Sequence, residues 1–383
     1  MATWRGWLAV VSLWIGRLLG RDEPVVVLAV HAYPPRIGGS EVHTRVLARG
    51  LRERGYRPVV LTRRDWGDPL TDGGIPVVSA WSVLRYCDAV FTYSVSRLTE
   101  EVGRRLVRMR PRPAWLHHPC AVDGRGRALI EGADRVVAFN RRDVELTVGL
   151  CGDAAKVVQV VPAAHDSRRG RQGAFRRRLE VGADYILWAG AWLRAKGARN
   201  LSERFALLRR RHPDWPLKLV MFGGYGDEEY PIRHPDIVVV DRNAADLPAA
   251  LADCLFVAFN SPAHPVGYDA NPLILLEALL HGKTFVAQAG TPLLSEIGHL
   301  GMVVTSDQEW LAAVETLYAE PGVRASLEWA CRKAWLDWYN YERMLQEFEA
   351  AVRDVLYAPA AASGTEGLVL RPGPPVRRPR GPV

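Results

Sequence analysis

Three observations predict an α/β chain of two Rossmann-like, doubly wound domains. β-Branched runs recur at regular intervals from Pro24, and amphipathic helical stretches lie between most of them. After an arginine-rich polar stretch at 167–178 the same alternation starts again. With 383 residues, 48% hydrophobic and 24% charged, the chain is long enough for two packed cores and is not a disordered protein.

Residues 1–23 come first. Their apolar stretch from Trp7 to Ile15 lies between Arg5 and Arg17 and falls short of the roughly 18 residues a membrane-spanning helix needs. On a helical wheel Trp4, Trp7, Val11, Trp14, Ile15 and Leu18 share one face, with Arg5, Ser12, Gly16 and Arg17 opposite. That is a basic amphipathic helix suited to docking on an anionic membrane surface. The alternatives are a helix packed on its own domain and a secretory apolar region, the latter without an A-x-A cleavage pattern.

The first domain, 24–166, has expected strands at 25–31, 58–62, 75–80, 89–94, 114–117, 135–140 and 157–161, with helices at 40–54 and 95–108. Residues 167–178 read as a linker. The second domain, 179–324, has expected strands at 185–190, 217–222, 237–241, 254–259 and 284–288. Residues 325–357 carry Trp329, Trp335, Trp338, Tyr339 and Tyr341, too aromatic for a solvated linker, and are expected to form helices crossing back to the first domain. Residues 358–383, rich in Pro, Gly, Ala and Arg without periodicity, are expected to be a disordered tail.

Lys and Arg total 50 against 42 Asp and Glu, and the formal charge of +8 favours anionic partners: nucleotide diphosphates, anionic lipids or nucleic acid. Nucleic acid is disfavoured, because the arginines are spread along the chain with no aromatic-basic RNA motif. Only Lys156, Lys196, Lys218, Lys283 and Lys333 are lysines, so each merits inspection. Cys87, Cys120, Cys151, Cys254 and Cys331 are widely spaced with no C-x-x-C, which indicates neither a zinc site nor a disulfide framework and fits a reducing cytosol. With no D-x-D or clustered His/Glu signature, a metal-independent site is expected.

Four elements carry candidate chemistry. The first strand runs through HAYPPRIGGSE into a helix, placing Gly38 and Gly39 where backbone N–H groups can face an anion; a plain tight turn is the alternative. A G-x-G-x-x-G pattern is absent and no acid closes a second strand, which argues against a nicotinamide site. The second element is GYDANPLILLEALLHGK at 267–283, with Asn271 as N-cap and Pro272 as first helical residue. Leucines surround that helix, so Glu277 is an anomalous buried carboxylate that a ribose diol could satisfy. It lies roughly 7–8 Å along the axis from the helix start, and a salt bridge to Lys283 or an arginine is the alternative. In the third, WAGAWLRAKG, Gly190 ends a strand and Lys196 precedes a helix, a diphosphate partner or else a solvated lysine. The fourth is AWLHHPC, where His117 and His118 end a strand; adjacent side chains alternate, so at most one enters a cleft, unless both are structural.

These elements in this order resemble the retaining glycosyltransferases of family four, of GT-B fold, in which two Rossmann-like domains face a central cleft. The resemblance covers about residues 25–355. The family's Glu, seven residues, Glu pattern falls on Asp269 and Glu277. It implies that Asp269 contacts the transferred sugar, that Glu277 contacts the ribose, and that amides at Leu273 and Ile274 hold phosphate. Gly38 and Gly39 match the family's glycine pair, Lys196 its phosphate-binding lysine, and His118 or His117 its histidine near the reacting sugar. VVPAAHD at 160–166 looks like the family's hinge with alanines replacing Asn and Gly. Two departures stand out: Asp replaces the first Glu, and Ala191 stands where an arginine is expected, leaving Arg194 on the same loop as the available substitute.

The resemblance implies sugar transfer with retention, from a nucleotide-diphosphate-sugar on the second domain to a glycan or lipid-linked acceptor on the first. No cofactor is expected beyond that co-substrate, nor any nucleic-acid partner. Polysaccharide biosynthesis and a cytoplasmic location, peripheral on the inner face of the cell membrane, go with that reading. A nucleotide-sugar epimerase of the same fold and a non-catalytic sugar-nucleotide-binding relative are the alternatives.

Overall fold

The computed structural model describes residues 22–33, 39–63, 71–119, 126–165, 169–179, 183–223, 226, 228–241, 247–261 and 271–357, together with Val11. The N-terminal amphipathic segment, Gly38, Asp269 and the tail at 358–383 therefore lie outside the described residues. Among those described, the chain forms two compact units, the first of residues up to Val161 together with 342–357, and the second of Pro162–Tyr341.

In the first unit the strands are β1 (Val25–Ala29), β2 (Arg57–Leu61), β3 (Thr71–Asp72), β4 (Ile75–Val78), β5 (Ala89–Tyr93), β6 (Ala114–His118), β7 (Arg135–Ala138) and β8 (Val157–Gln159). They order as β3-β4-β2-β1-β5-β6-β7-β8, parallel except for β3 against β4. Its helices are α1 (Gly39–Glu53), α2 (Arg97–Arg108), α3 (Arg127–Gly132) and α4 (Arg141–Cys151). β1 is VVVLA with every residue buried, as in a strand with helices on both sheet faces. Helix starts follow local chemistry: Thr99 N donates to Ser96 Oγ at 3.2 Å ahead of α2, and Asp143 N to Asn140 Oδ1 at 2.8 Å ahead of α4.

The second unit holds β9 (Asp184–Gly190), β10 (Leu217–Gly223), β11 (Ile237–Asp241), β12 (Phe256–Phe259), β13 (Phe285–Gln288) and β14 (Met302–Val304). Their order is β11-β10-β9-β12-β13-β14, all parallel. Its helices are α5 (Ala174–Leu179), α6 (Ala198–Arg211), α7 (Leu247–Asp253), α8 (Leu273–Leu280), α9 (Leu294–Ile297), α10 (Asp307–Ala319) and α11 (Pro321–Asp337). α12 (Tyr341–Tyr357) follows and packs almost wholly within the first unit.

Two boundary expectations change. Residues 167–178 are not simply a linker: α5 starts inside that span and packs on α7. The Asp253 carboxylate accepts from Phe175 N at 3.2 Å and Arg176 N at 3.3 Å, Gly170 N donates to His281 Nε2 at 2.9 Å, and a Cβ on Gly170 would fall 1.9 Å from the Pro248 carbonyl oxygen. The C-terminal helices do not cross back together either. α11 stays on the second unit against α8, while α12 buries Phe348 beside Phe91, ring centres 4.9 Å apart, and pairs Asp354 with Arg135 at 2.8 Å. Trp335 and Tyr339 are buried as expected, but Trp329 is 68% exposed.

Candidate functional site

The second sheet reverses its winding between β9 and β12, which are hydrogen-bonded neighbours although β10 and β11 intervene in sequence. Loops leaving the carboxyl ends of such a pair diverge and open a crevice, the usual ligand position in a doubly wound sheet. The loop after β9 carries Arg194 and Lys196, and the chain after β12 leads to α8 through residues, Asp269 among them, that lie outside the described ones.

Between β9 and α6, Ala191 and Trp192 are buried, and Arg194–Lys196 form one 3-10 turn in which Arg194 is exposed and Lys196 half-buried. Gly197 closes the turn at φ +61, where a Cβ would lie 2.4 Å from the Asn260 carbonyl oxygen, so only glycine fits. Asn260, just past β12, donates from Nδ2 to Gly197 O at 2.8 Å and to Asn200 Oδ1 at 3.0 Å. Its Oδ1 accepts from Arg204 Nη1 at 2.7 Å, and Arg204 also reaches Gln288 Oε1 at 3.0 Å and Asp307 Oδ1 at 2.7 Å. The lysine turn is thus fixed to the β12 end by buried polar side chains that sequence reasoning missed. The available signal was Asn260 itself, a polar residue closing the apolar run LFVAF.

A second overlooked element is the segment after β10. Glu228 N and Glu229 N donate to Trp192 O at 3.0 and 3.3 Å, and the carboxylates accept from Arg194 N at 3.2 Å and Arg199 N at 3.0 Å. The Glu229 carboxylate therefore occupies the N-terminal turn of α6, where the helix dipole favours an anion.

α8 begins one residue later than expected. Pro272 is the N-cap, without a side-chain cap bond, and Leu273 is the first helical residue, because Leu275 N already bonds to Pro272 O at 3.0 Å. As first-turn residues Leu273 and Ile274 have N–H groups without intrahelical acceptors. Glu277 is 3% exposed within this apolar helix and is partnered. Its carbonyl oxygen lies 2.7 Å from His281 Nδ1, and burial keeps that imidazole below its ordinary pKa.

The remaining candidates belong to the first unit. Gly39 opens α1, and among the described residues a Cβ there would meet no atom within 4 Å. His117 and His118 are both enclosed, so alternation along β6 puts them on opposite faces that are both covered. His117 Nδ1 lies 2.9 Å from Thr92 Oγ1, to which Trp115 Nε1 also donates, and its Nε2 has no partner among the described residues. Its surroundings are those of a core residue, the structural alternative that the sequence left open. His118 Nδ1 donates to Val137 O at 2.8 Å, and its ring packs on Phe139 at 4.3 Å and Tyr93 at 5.0 Å. His43, which sequence reasoning missed, sits one turn beyond Gly39, its Nδ1 2.8 Å from Tyr93 Oη and its Nε2 3.0 Å from Met344 Sδ. Burial, with the nearby His118 adding to it, pushes His43 and His117 down to about 3; burial alone takes His118 down to about 4.

A cavity of about 610 Å³ lies at the amino ends of β5 to β7, lined by Asp88, Arg112, Asp134, Arg135 and Asp354. Its charges are largely consumed in structural pairs, Arg112 with Asp134 and Arg135 with Asp354, so the cavity and the candidate chemistry do not coincide.

Residues 183–320 match the family described as Glycosyl transferases group 1. The D-inositol 3-phosphate glycosyltransferase of Pseudarthrobacter chlorophenolicus is 28% identical over 217 residues, 52% of this chain and 51% of the relative. The chain spans about half the length of the curated relatives it matches. Among solved structures, sucrose-phosphate synthase from Thermosynechococcus elongatus superposes with a TM-score of 0.71 at 16% identity, covering 88% of this chain and 100% of that one. Anabaena HepE in complex with UDP-glucose gives 0.71 at 14% identity, covering 86% and 99%. At those identities the likeness is one of fold, and it extends over both units. With residues 183–320 of its second unit matching the Glycosyl transferases group 1 model and both units sharing this architecture, the chain has the GT-B fold of two Rossmann-like α/β domains.

Proposed function

We propose that this protein is a glycosyltransferase that moves a sugar from a nucleoside-diphosphate-sugar to an acceptor with retention at the anomeric carbon. The observation that carries the reading is the switch-point crevice of the second unit, where the Lys196 turn is locked to the β12 end through Gly197 and Asn260. In this reading Lys196, Arg194 and the amides of Leu273 and Ile274 hold the diphosphate as negative charge develops on it, and such stabilisation is often the largest catalytic term. Asn271 shapes the approach to α8, Glu277 takes the ribose hydroxyls and Asp269 the transferred sugar. Gly38 and Gly39 give the main chain close access to the sugar-phosphate. His118, neutral and with Nδ1–H committed to Val137, offers only Nε2, as an acceptor for a sugar hydroxyl.

The acceptor belongs with the first unit, and a lipid-linked or cell-envelope glycan fits a basic amphipathic N-terminal segment lying on an anionic membrane. No helix among the described residues is long and apolar enough to cross a membrane. Deleting residues 1–21 should abolish co-sedimentation with anionic liposomes, and equal sedimentation of both forms would refute the membrane role.

Thermal shift with uridine, guanosine and adenosine diphosphate-sugars identifies the donor, since a bound ligand raises apparent stability. With that donor, Lys196→Ala and Glu277→Ala should each cut kcat/KM at least roughly 100-fold; unchanged transfer and donor hydrolysis in both would overturn the assignment. A binding-only reading is favoured by Ala191, buried where the resemblance expects an arginine. It predicts saturable nucleotide-sugar binding with no turnover across acceptors.

A further inference from the structure

Trp188 and Trp192 stack with ring centres 5.4 Å apart and planes 20° from parallel, and Tyr230 continues the series 5.5 Å beyond Trp192 at 36°. The three rings run from core to surface: Trp188 is 2% exposed, Trp192 8% and Tyr230 54%. The series is seated on Gly223, the last residue of β10, where a Cβ would fall 1.5 Å from the Trp192 ring. Tyr230 is held in place by its neighbours, since Glu228 and Glu229 are bonded to the 192–199 turn and Ile232 N donates to Ser202 Oγ at 3.0 Å. Its hydroxyl has no partner among the described residues, so only the ring anchors the side chain. An ordered aromatic ring that ends a buried stack, with its outer face open, is complementary to another flat ring. Trp192, on which it packs, stands on the turn that carries Lys196 four residues further on, so the complementary ligand joins a flat ring to an anionic group.

We infer that the open face of Tyr230 is the stacking platform for the nucleobase of a nucleoside diphosphate, with Trp192 and Trp188 as its backing. This rests on the nucleotide-donor reading above and names the group that recognises the base. Stacking tolerates any base, because every base has a π-face; selection among bases would fall to groups other than this ring.

The test is calorimetric titration of the full chain and of Tyr230→Ala and Tyr230→Phe with UDP, GDP, ADP and inorganic pyrophosphate. Tyr230→Ala should weaken the preferred nucleotide roughly 5- to 150-fold and leave pyrophosphate unchanged, while Tyr230→Phe keeps both. Unchanged nucleotide affinity in Tyr230→Ala overturns the platform, as does an equal loss for pyrophosphate, which would mean the residue acts through the lysine turn. If nucleotide binding survives Tyr230→Ala but is lost in Lys196→Ala, only the platform fails. If no nucleotide binds the unaltered chain, the donor reading falls with it.

Discussion

Lowering the pH from 7 to 5 should destabilise the first unit by about 6 kcal/mol through His43, His117 and His118. Burial holds all three below 5, so at pH 5 they stay essentially neutral in the folded unit while their unfolded counterparts, with the ordinary value of 6.5, bind protons. A folded pKa lowered in this way gives stability that is complete above 6.5 and is lost as pH falls from there toward 3 to 4. At pH 5 the unfolded chain gains about 1.5 pH units of protonation free energy per histidine, about 2 kcal/mol each at 1.36 kcal/mol per unit. The sum compares with the whole stability of a typical domain, about 5–15 kcal/mol. Hydrogen exchange of peptides from β5 and β6 at pH 7, 6 and 5, corrected for intrinsic rates, isolates this unit. The opening free energy should fall with a slope approaching three protons, and His43→Gln should reduce that slope by about one. An opening free energy unchanged between pH 7 and 5 would show that these imidazoles are hydrated or charged and would refute the reasoning.

Gly197→Ala should destabilise the second unit by at least about 1–2 kcal/mol, the cost of a left-handed residue before Asn260 is displaced, whereas Gly39→Ala should stay within about 0.5 kcal/mol; thermal unfolding compares the two. Arg204→Ala should cost about 2–3 kcal/mol by urea unfolding, the scale of a charge-assisted hydrogen bond left unmade. Arg204→Lys should not restore it, because one ammonium cannot span Asn260, Gln288 and Asp307 as a planar guanidinium does. Metal-independent transfer predicts unchanged turnover in EDTA; a loss of more than about tenfold, restored by a divalent cation, would overturn it.

Elements whose signal is local were legible in the sequence. The run VVVLA and its counterparts gave every described strand but the short β3 and β14 within one or two residues, and 40–54 and 95–108 became α1 and α2. The lysine turn and α8 were legible because Gly197 and the Pro272–Glu277 run carry their own backbone and burial signals. What was not legible depends on distant partners. Asp253 caps α5 from about 80 positions away, so an arginine-rich stretch that looked like a linker is structured. Glu228, Glu229 and Tyr230 gain significance only once β9 and β10 lie side by side. The two histidines stayed undecided because alternation along β6 says that they face opposite ways, not that both faces are covered. Trp329 misled, since aromatic content does not say which face of a helix is covered.

The first unit is interrupted in sequence: α12 supplies Phe348 and Met344 to its core only after the second unit, Pro162–Tyr341, has been made. During synthesis at about 5–20 residues per second, the nascent first sheet waits roughly 10–40 s for its last helix, with the Phe91 side of the sheet uncovered. The second unit is contiguous and can close as soon as it leaves the ribosome. The order of maturation is therefore the reverse of the order of translation, and the interval in which the first sheet stands open is when this chain would most need a chaperone.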